Sequence, residues 1–329
     1  MKAVLLDGFG GPEVLKIVET PKPAPAEGQV LIKVAATSVN RPDILQREGN
    51  YPPPEGASEL PGLEVAGIIE ASGPRVASYQ CGDRVMSLVA GGGYAQYAVA
   101  HADHLIPIPD SMSFESAACV CESYITAFLN IFMIGGFKDR QTVLIHGGGG
   151  GVSTAAIQLC RKLAPNARLV VTASAGKIER VRQLGADLVI NYQEEDFSEA
   201  VRVFTGKKGV DVILDHIGAN YLALNMRALA VGGTLVIIGV MSGAKAELNL
   251  ALMMVKRQRI IGSVLRSRSV EEKRDIVANF ISTVMPKFSD RSVVPIIYKT
   301  YALDDVAEAH KTMEQSKHFG KIVLTLDQR

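Results

Sequence analysis

Five consecutive glycines, Gly147 to Gly151, stand between Val143-Leu144-Ile145-His146 and Val152-Ser153-Thr154-Ala155-Ala156-Ile157-Gln158. The short β-branched run predicts a buried parallel strand, and the Ala/Ile-rich run after the glycines predicts a helix. Glycines at such a turn let backbone N–H groups close on a pyrophosphate at the positive end of the helix. Gly148, Gly150, Gly151 and Val152 are the expected contacts. The spacing is Gly148-x-x-Gly151-x-Ser153 and not a strict G-x-G-x-x-G. Ser153 stands where a third glycine usually lets helix and strand pack closely, and serine is small enough for that role.

The next predicted strand is residues 169–173. About 20 residues after such a glycine turn, an NAD site carries an Asp or Glu for the ribose hydroxyls. This chain has Thr172-Ala173-Ser174-Ala175-Gly176-Lys177 there, with no acid. The hydroxyl of Ser174 and the ammonium of Lys177 suit a 2′-phosphate, which points to NADP. The plainer alternative makes Lys177 and Arg180 solvated helix-surface residues.

The alternation continues downstream. Strands are expected at 188–192, 210–215, 233–239 and 260–263, with helices at 196–205 and 220–230. Gly185 sits where glycine favours a helix end. This pattern is α/β: a Rossmann-type doubly wound parallel sheet with its ligand crevice at the carboxyl ends of the strands. Tyr192, Gly239, Met241, Ser263 and Leu265 fall at such ends and are expected cofactor neighbours.

Residues 1–121 read differently. Strands at 30–36 and 66–71 are short, and the runs Pro21-Lys22-Pro23-Ala24-Pro25, Tyr51-Pro52-Pro53-Pro54 and Gly91-Gly92-Gly93 punctuate the chain. A β-rich domain is expected. Near the other end, Ser269 and Glu272 have capping-box spacing. A strand at 293–298, a helix at 304–315 and a strand at 321–326 follow. The predicted layout is a dinucleotide domain, 122–265, inserted into a β-rich catalytic domain built from 1–121 and 266–329.

The net charge of +1 over 329 residues gives no electrostatic reason for nucleic acid or a membrane surface. No apolar stretch is long enough to span a bilayer. The N-terminus reads as a strand rather than a signal peptide. The 4 cysteines lack disulfide-like spacing, and the cytoplasm is the expected compartment.

Motifs along the whole chain carry a family resemblance. They include Ser38-Val39-Asn40-Arg41-Pro42-Asp43, Pro61-Gly62-Leu63-Glu64-Val65-Ala66-Gly67, Gly82-Asp83-Arg84-Val85, Leu184-Gly185-Ala186-Asp187 and Phe319-Gly320-Lys321-Ile322-Val323-Leu324. The chain resembles the medium-chain dehydrogenase/reductase superfamily in its zinc-free quinone oxidoreductase branch. Asn191-Tyr192-Gln193-Glu194-Glu195-Asp196-Phe197 and Leu265-Arg266-Ser267-Arg268 are most similar to the tumour-suppressor-inducible group of that branch.

The resemblance implies a GroES-like β-rich domain and NADPH-dependent reduction of quinones or enones. It places Asn40, Asp43 and Tyr51 around a cleft. Asn40 is then a donor to the acceptor oxygen, Tyr51 a ring contact or proton donor, and Asp43 a helix cap. Thr126 lies beside the cofactor, Lys177 and Tyr192 hold the 2′-phosphate, and Lys321 joins the cofactor contacts. Glu64 is read as structural and paired with Arg41. Zinc-bearing cousins use a Cys and a Gly-His-Glu histidine where this chain has Asn40 and Leu63, so no metal is expected. A homodimer or homotetramer, pairing through the β-branched run 231–240, is expected as well. Two other readings stay open: a 2-enoyl-thioester reductase, and a non-enzymatic, NADPH-linked RNA-binding role.

Overall fold

In the computed structural model, which describes residues 1–326, the chain divides into two units. One joins Met1–Ile125 to Leu265–Arg329, and the other is Thr126–Val264.

The first unit opens with an antiparallel ribbon of β1 (Lys2–Leu6) and β2 (Leu15–Glu19). β3 (Gln29–Val39), β4 (Glu64–Ser72), β5 (Arg84–Leu88), β6 (Tyr97–His101) and β7 (Leu105–Pro107) follow. β3 pairs antiparallel with both β4 and β6. Two register irregularities in its pairing with β4 allow one long strand to bend across several partners. Val30, Ile32, Val34, Val65, Ile69 and Val85 fill the core, one face of each strand turned inward.

The second unit holds β8 (Thr142–Ile145), β9 (Arg168–Ala173), β10 (Leu188–Asn191), β11 (Val210–Asp215), β12 (Leu229–Ile237) and β13 (Arg259–Gly262). Their order is β10-β9-β8-β11-β12-β13, and every pairing is parallel. β8 is followed in space by β9 on one side and β11 on the other. That reversal of winding is the switch point where such sheets bind ligands. The edge strands are β10 and β13; β12, which holds most of the run 231–240 expected to pair subunits, lies inside the sheet because β13 continues the parallel ladder beyond it. β12 also begins earlier than expected, at Leu229, with the preceding helix ending at Ala228.

The chain then returns to the first unit. Ser269 and Glu272 form the expected capping box of helix Val270–Thr283. The strand expected at 293–298 forms instead at Ile297–Ala302 (β14), because Pro295 has no N–H to give a ladder. β15 (Lys321–Thr325) pairs parallel with β14 and antiparallel with the end of β3. No helix among the described residues is long and apolar enough to cross a membrane.

Candidate active site

The glycine turn is built from beneath. Gly147 takes a positive φ of 63°, and Gly150 caps the helix Gly151–Leu163. A Cβ on Gly148 would stand 2.5 Å from Val171 Cγ1, so only glycine lets the turn lie this close to β9. Ser153, buried in the first turn of the helix, donates its hydroxyl to the His146 carbonyl at 2.8 Å. The serine that departs from the glycine pattern therefore ties the helix to the end of β8.

A buried polar chain runs under the same turn. Asn225 donates to Asp215 at 3.1 Å, so its amide oxygen faces His146 Nε2 at 2.8 Å and the imidazole must donate there. His146 Nδ1 then accepts the Thr172 hydroxyl at 3.0 Å, and the Thr172 oxygen accepts the Gly147 N–H at 3.2 Å. Burial pushes the His146 pKa down to about 3 and the Asp215 carboxyl up to about 6. The imidazole is thus neutral, as the chain requires. Asn225→Leu leaves His146 and Asp215 short of a partner, and should cost about 1–3 kcal/mol for each orphaned group. Urea denaturation should show it as a lower midpoint; an unchanged midpoint would show that the chain holds nothing.

Lys177 lies over the glycines. A Cβ on Gly149 would come within 3.1 Å of Lys177 Nζ. The side chain is half-buried, and burial, with Arg180 adding to it, lowers its pKa. Ser174 caps the short turn Ala175–Lys177 and accepts the Lys177 N–H at 2.9 Å. The β9–β10 register pairs Ala173 with Asn191, so Ser174 and Tyr192 are the next residues beyond it. Ser174, Lys177 and the exposed Tyr192 thus stand at the carboxyl ends of adjacent strands. At the other side of the sheet, Gly239 and Met241 follow β12, and Ser263 follows β13. The buried Ser263 Oγ has no hydrogen-bond partner among the described residues, while its N–H bonds the Ile237 carbonyl. An open glycine turn, a lysine lying over it and an orphaned strand-end hydroxyl fit a dinucleotide. Thr126 opens this unit, and its carbonyl accepts the Asn130 amide at 2.8 Å.

Tyr51, Leu265, Asn40 and Lys321 belong to the other unit. The pairing Ile322↔Val39 makes Lys321 and Asn40 the next opposed residues, and Val65↔Thr37 does the same for Glu64 and Ser38. Register alone thus converges four polar side chains at one corner of the sheet. Lys321 Nζ lies 3.0 Å from Glu64 Oε1 and also donates to Asn40 Oδ1. Asn40 Nδ2 donates to Glu64 at 3.0 Å, and Ser38 donates to the same carboxylate. All four are buried.

This corrects one expectation. Glu64 pairs with Lys321 and not with Arg41, whose guanidinium reaches the Met313 carbonyl at 3.3 Å. Asn40 and Lys321 turn their polar atoms toward one another and toward Glu64. Asp43 does cap the helix Arg41–Arg47: its carboxylate accepts the Asn40 N–H at 2.7 Å.

Tyr51 is half-buried, with its carbonyl bonded to Arg266 at 3.2 Å and its ring 5.2 Å from that guanidinium. Burial, reinforced by Glu122, pushes its hydroxyl up to about 12. A cleft of about 610 Å³ in this unit is lined by Leu63, Val89, Glu122, Leu265 and Arg266. Glu122 and Arg266 were missed as site residues. Arg266 lay visible in the run Leu265-Arg266-Ser267-Arg268, but its bonds to Ala90, Tyr51 and Gln46 join distant segments. Glu122 had no signal beyond its place shortly before Thr126.

Comparison with known proteins matches residues 26–110 to the alcohol dehydrogenase GroES-like domain and 151–282 to the zinc-binding dehydrogenase family. The quinone oxidoreductase of Lama guanicoe is 36% identical over 99% of this chain and 98% of its own length. The chain belongs to the quinone oxidoreductase branch of the medium-chain dehydrogenase/reductase superfamily. The Homo sapiens quinone oxidoreductase is 34% identical with the same coverage. A mycobacterial protein solved as a complex with NADPH is 30% identical, has a TM-score of 0.89 and aligns over 99% of both chains. An NAD(P)-dependent oxidoreductase of the quinone oxidoreductase branch is thus the supported activity class.

Zinc-binding dehydrogenases lend one of the matched families its name, and a zinc ion would need several ligand atoms at the corner around Glu64. Leu63 has no ligand atom, and the Lys321 ammonium already sits against the Glu64 carboxylate. A second cation would meet that ammonium at close range without compensation. Among the described residues, no three His, Cys, Asp or Glu side chains converge elsewhere. The residues of this quinone oxidoreductase relative do not fit a zinc ion.

Proposed function

We propose that this protein is an NADPH-dependent reductase of quinones that works without a metal. The observation carrying the cofactor choice is Lys177 over the glycine turn, beside a β9 end that has hydroxyls and no acid. An acid there would bind the free ribose hydroxyl of NADH, whereas an ammonium favours a 2′-phosphate. Reduced nicotinamide, when bound, supplies a hydride. Hydride addition to a quinone restores an aromatic ring, so the acceptor needs less Lewis-acid help than an alcohol or ketone. The protein's part is to hold the rings face to face and keep water away. The names of the full-length relatives and the NADPH complex of a relative support the same reading.

The test is cofactor oxidation with ortho-quinones, para-quinones and enoyl-CoA esters, each with NADPH and with NADH. Quinone turnover with NADPH and little with NADH is expected. Turnover confined to enoyl-CoA would replace the quinone reading with an enoyl-thioester reductase. Equal use of NADH would remove the phosphate site from the account.

A further inference from the structure

Acceptor reduction needs a proton as well as a hydride, and the cleft of the β-rich unit presents one acid suited to give it. Glu122 sits in the first turn of helix Cys121–Phe128, half-buried, and lines the cleft beside Leu63, Val89 and Leu265. The other carboxyl on the lining, Glu55, is exposed. The backbone N–H of Glu122 is bonded to Glu64 Oε2 at 2.8 Å, which fixes the turn against the buried Glu64–Lys321 corner. The backbone that carries the side chain is thus fixed at the cleft wall, which limits where its carboxyl can reach.

We propose that Glu122 is the catalytic proton donor of this site. The inference rests on the reductase reading above. In the step, a quinone gains one hydride from the cofactor, which is left oxidised, and one proton from a Glu122 carboxyl oxygen. A C–H bond of the reduced nicotinamide breaks as the hydride bonds to the quinone, the O–H bond of Glu122 breaks as an O–H bond forms on an acceptor oxygen, and the carboxylate recovers its proton from solvent. No further oxidant or reductant is needed.

Electrostatics agree with the geometry. The groups facing Glu122 are the carboxyls of Glu64 and Asp43, the cations Lys321, Arg266 and Lys273, the Tyr51 hydroxyl and the Cys121 thiol. Burial first, and the Glu64 charge second, push the Glu122 carboxyl up to about 8. A donor near the working pH is both protonated and ready to release its proton. Tyr51, pushed up to about 12, is the poorer donor. The acid form of Glu122 is present below about pH 8 and is lost as pH rises through that value.

The test compares wild type, Glu122→Gln and Glu122→Asp. Glu122→Gln keeps the shape of the side chain but has no acidic proton to give. Turnover with a quinone should fall about 10²–10⁴-fold, with NADPH affinity unchanged by fluorescence titration. The alkaline loss of rate near pH 8 should vanish from what remains. Glu122→Asp should recover part of the rate and keep an alkaline limb. Independently of turnover, infrared difference spectra of the free protein should show a protonated-carboxyl carbonyl band that titrates near pH 8. That band should be missing in Glu122→Gln. Full turnover in Glu122→Gln, or wild-type infrared spectra lacking the band, overturns the donor role and leaves the reductase reading standing. Wild type inactive on every acceptor overturns the reductase reading, and the donor role with it.

Discussion

Lys321→Met lowers the stability of the protein by about 3–5 kcal/mol, the usual cost of leaving one partner of a buried ion pair behind. The methionine nearly matches the lysine in length, so packing changes little and the charge is what is lost. Glu64 then keeps a buried carboxylate with donors from Ser38 and Asn40 but no cation. Asn40 Oδ1 loses its donor as well. Urea denaturation of the single variant, and of Lys321→Met combined with Glu64→Gln, checks this. The double variant should regain much of the loss, because a neutral amide needs no counter-charge. A single variant as stable as wild type would show that the pair holds nothing together. The effect is large because Glu64 and Lys321 are both almost wholly shielded from water, at 0% and 4% exposure. Exposed pairs such as Arg202–Glu199 on helix Phe197–Phe204 should contribute far less.

Lys177→Ala should weaken NADPH binding about 10–100-fold and leave NADH binding unchanged. A hydrogen bond to a charged group contributes about 1.5–3 kcal/mol, and NADH has no phosphate to lose it. Equilibrium titration of both cofactors reads the difference directly. The variant also clears the space over Gly149, where the lysine stem now lies. An equal loss for both cofactors would mean that Lys177 supports the turn rather than a phosphate. The effect should shrink with added salt, since Lys177 is only half-buried and its charge is partly screened.

Much of the dinucleotide unit was legible in the residues themselves. β8, the glycine turn and the helix after it are adjacent in sequence, so composition and spacing describe them locally. The strand-end positions of Ser174, Tyr192, Gly239 and Ser263 follow from the same periodicity, because a parallel sheet puts all its carboxyl ends on one side. Local capping was legible too: the Ser269–Glu272 and Asn40–Asp43 pairs lie within one turn of helix.

What tertiary structure decided is partnership across long stretches of chain. Lys321 and Glu64 are separated by 257 residues, and no local pattern joins them. Sequence reading gave Glu64 the nearby Arg41, but the β3–β15 and β3–β4 registers deliver Lys321 to that carboxylate. Which strand lies outermost likewise depends on the order in which strands stack, and β13 puts most of the run 231–240 inside the sheet. Glu122 gained its place by the same route, through a bond to Glu64 from 58 residues away. The physical reason is common to all three. Backbone propensity and hydrophobic period act over a few residues, whereas burial makes every charge find a partner, and only the packed chain determines which one is within reach.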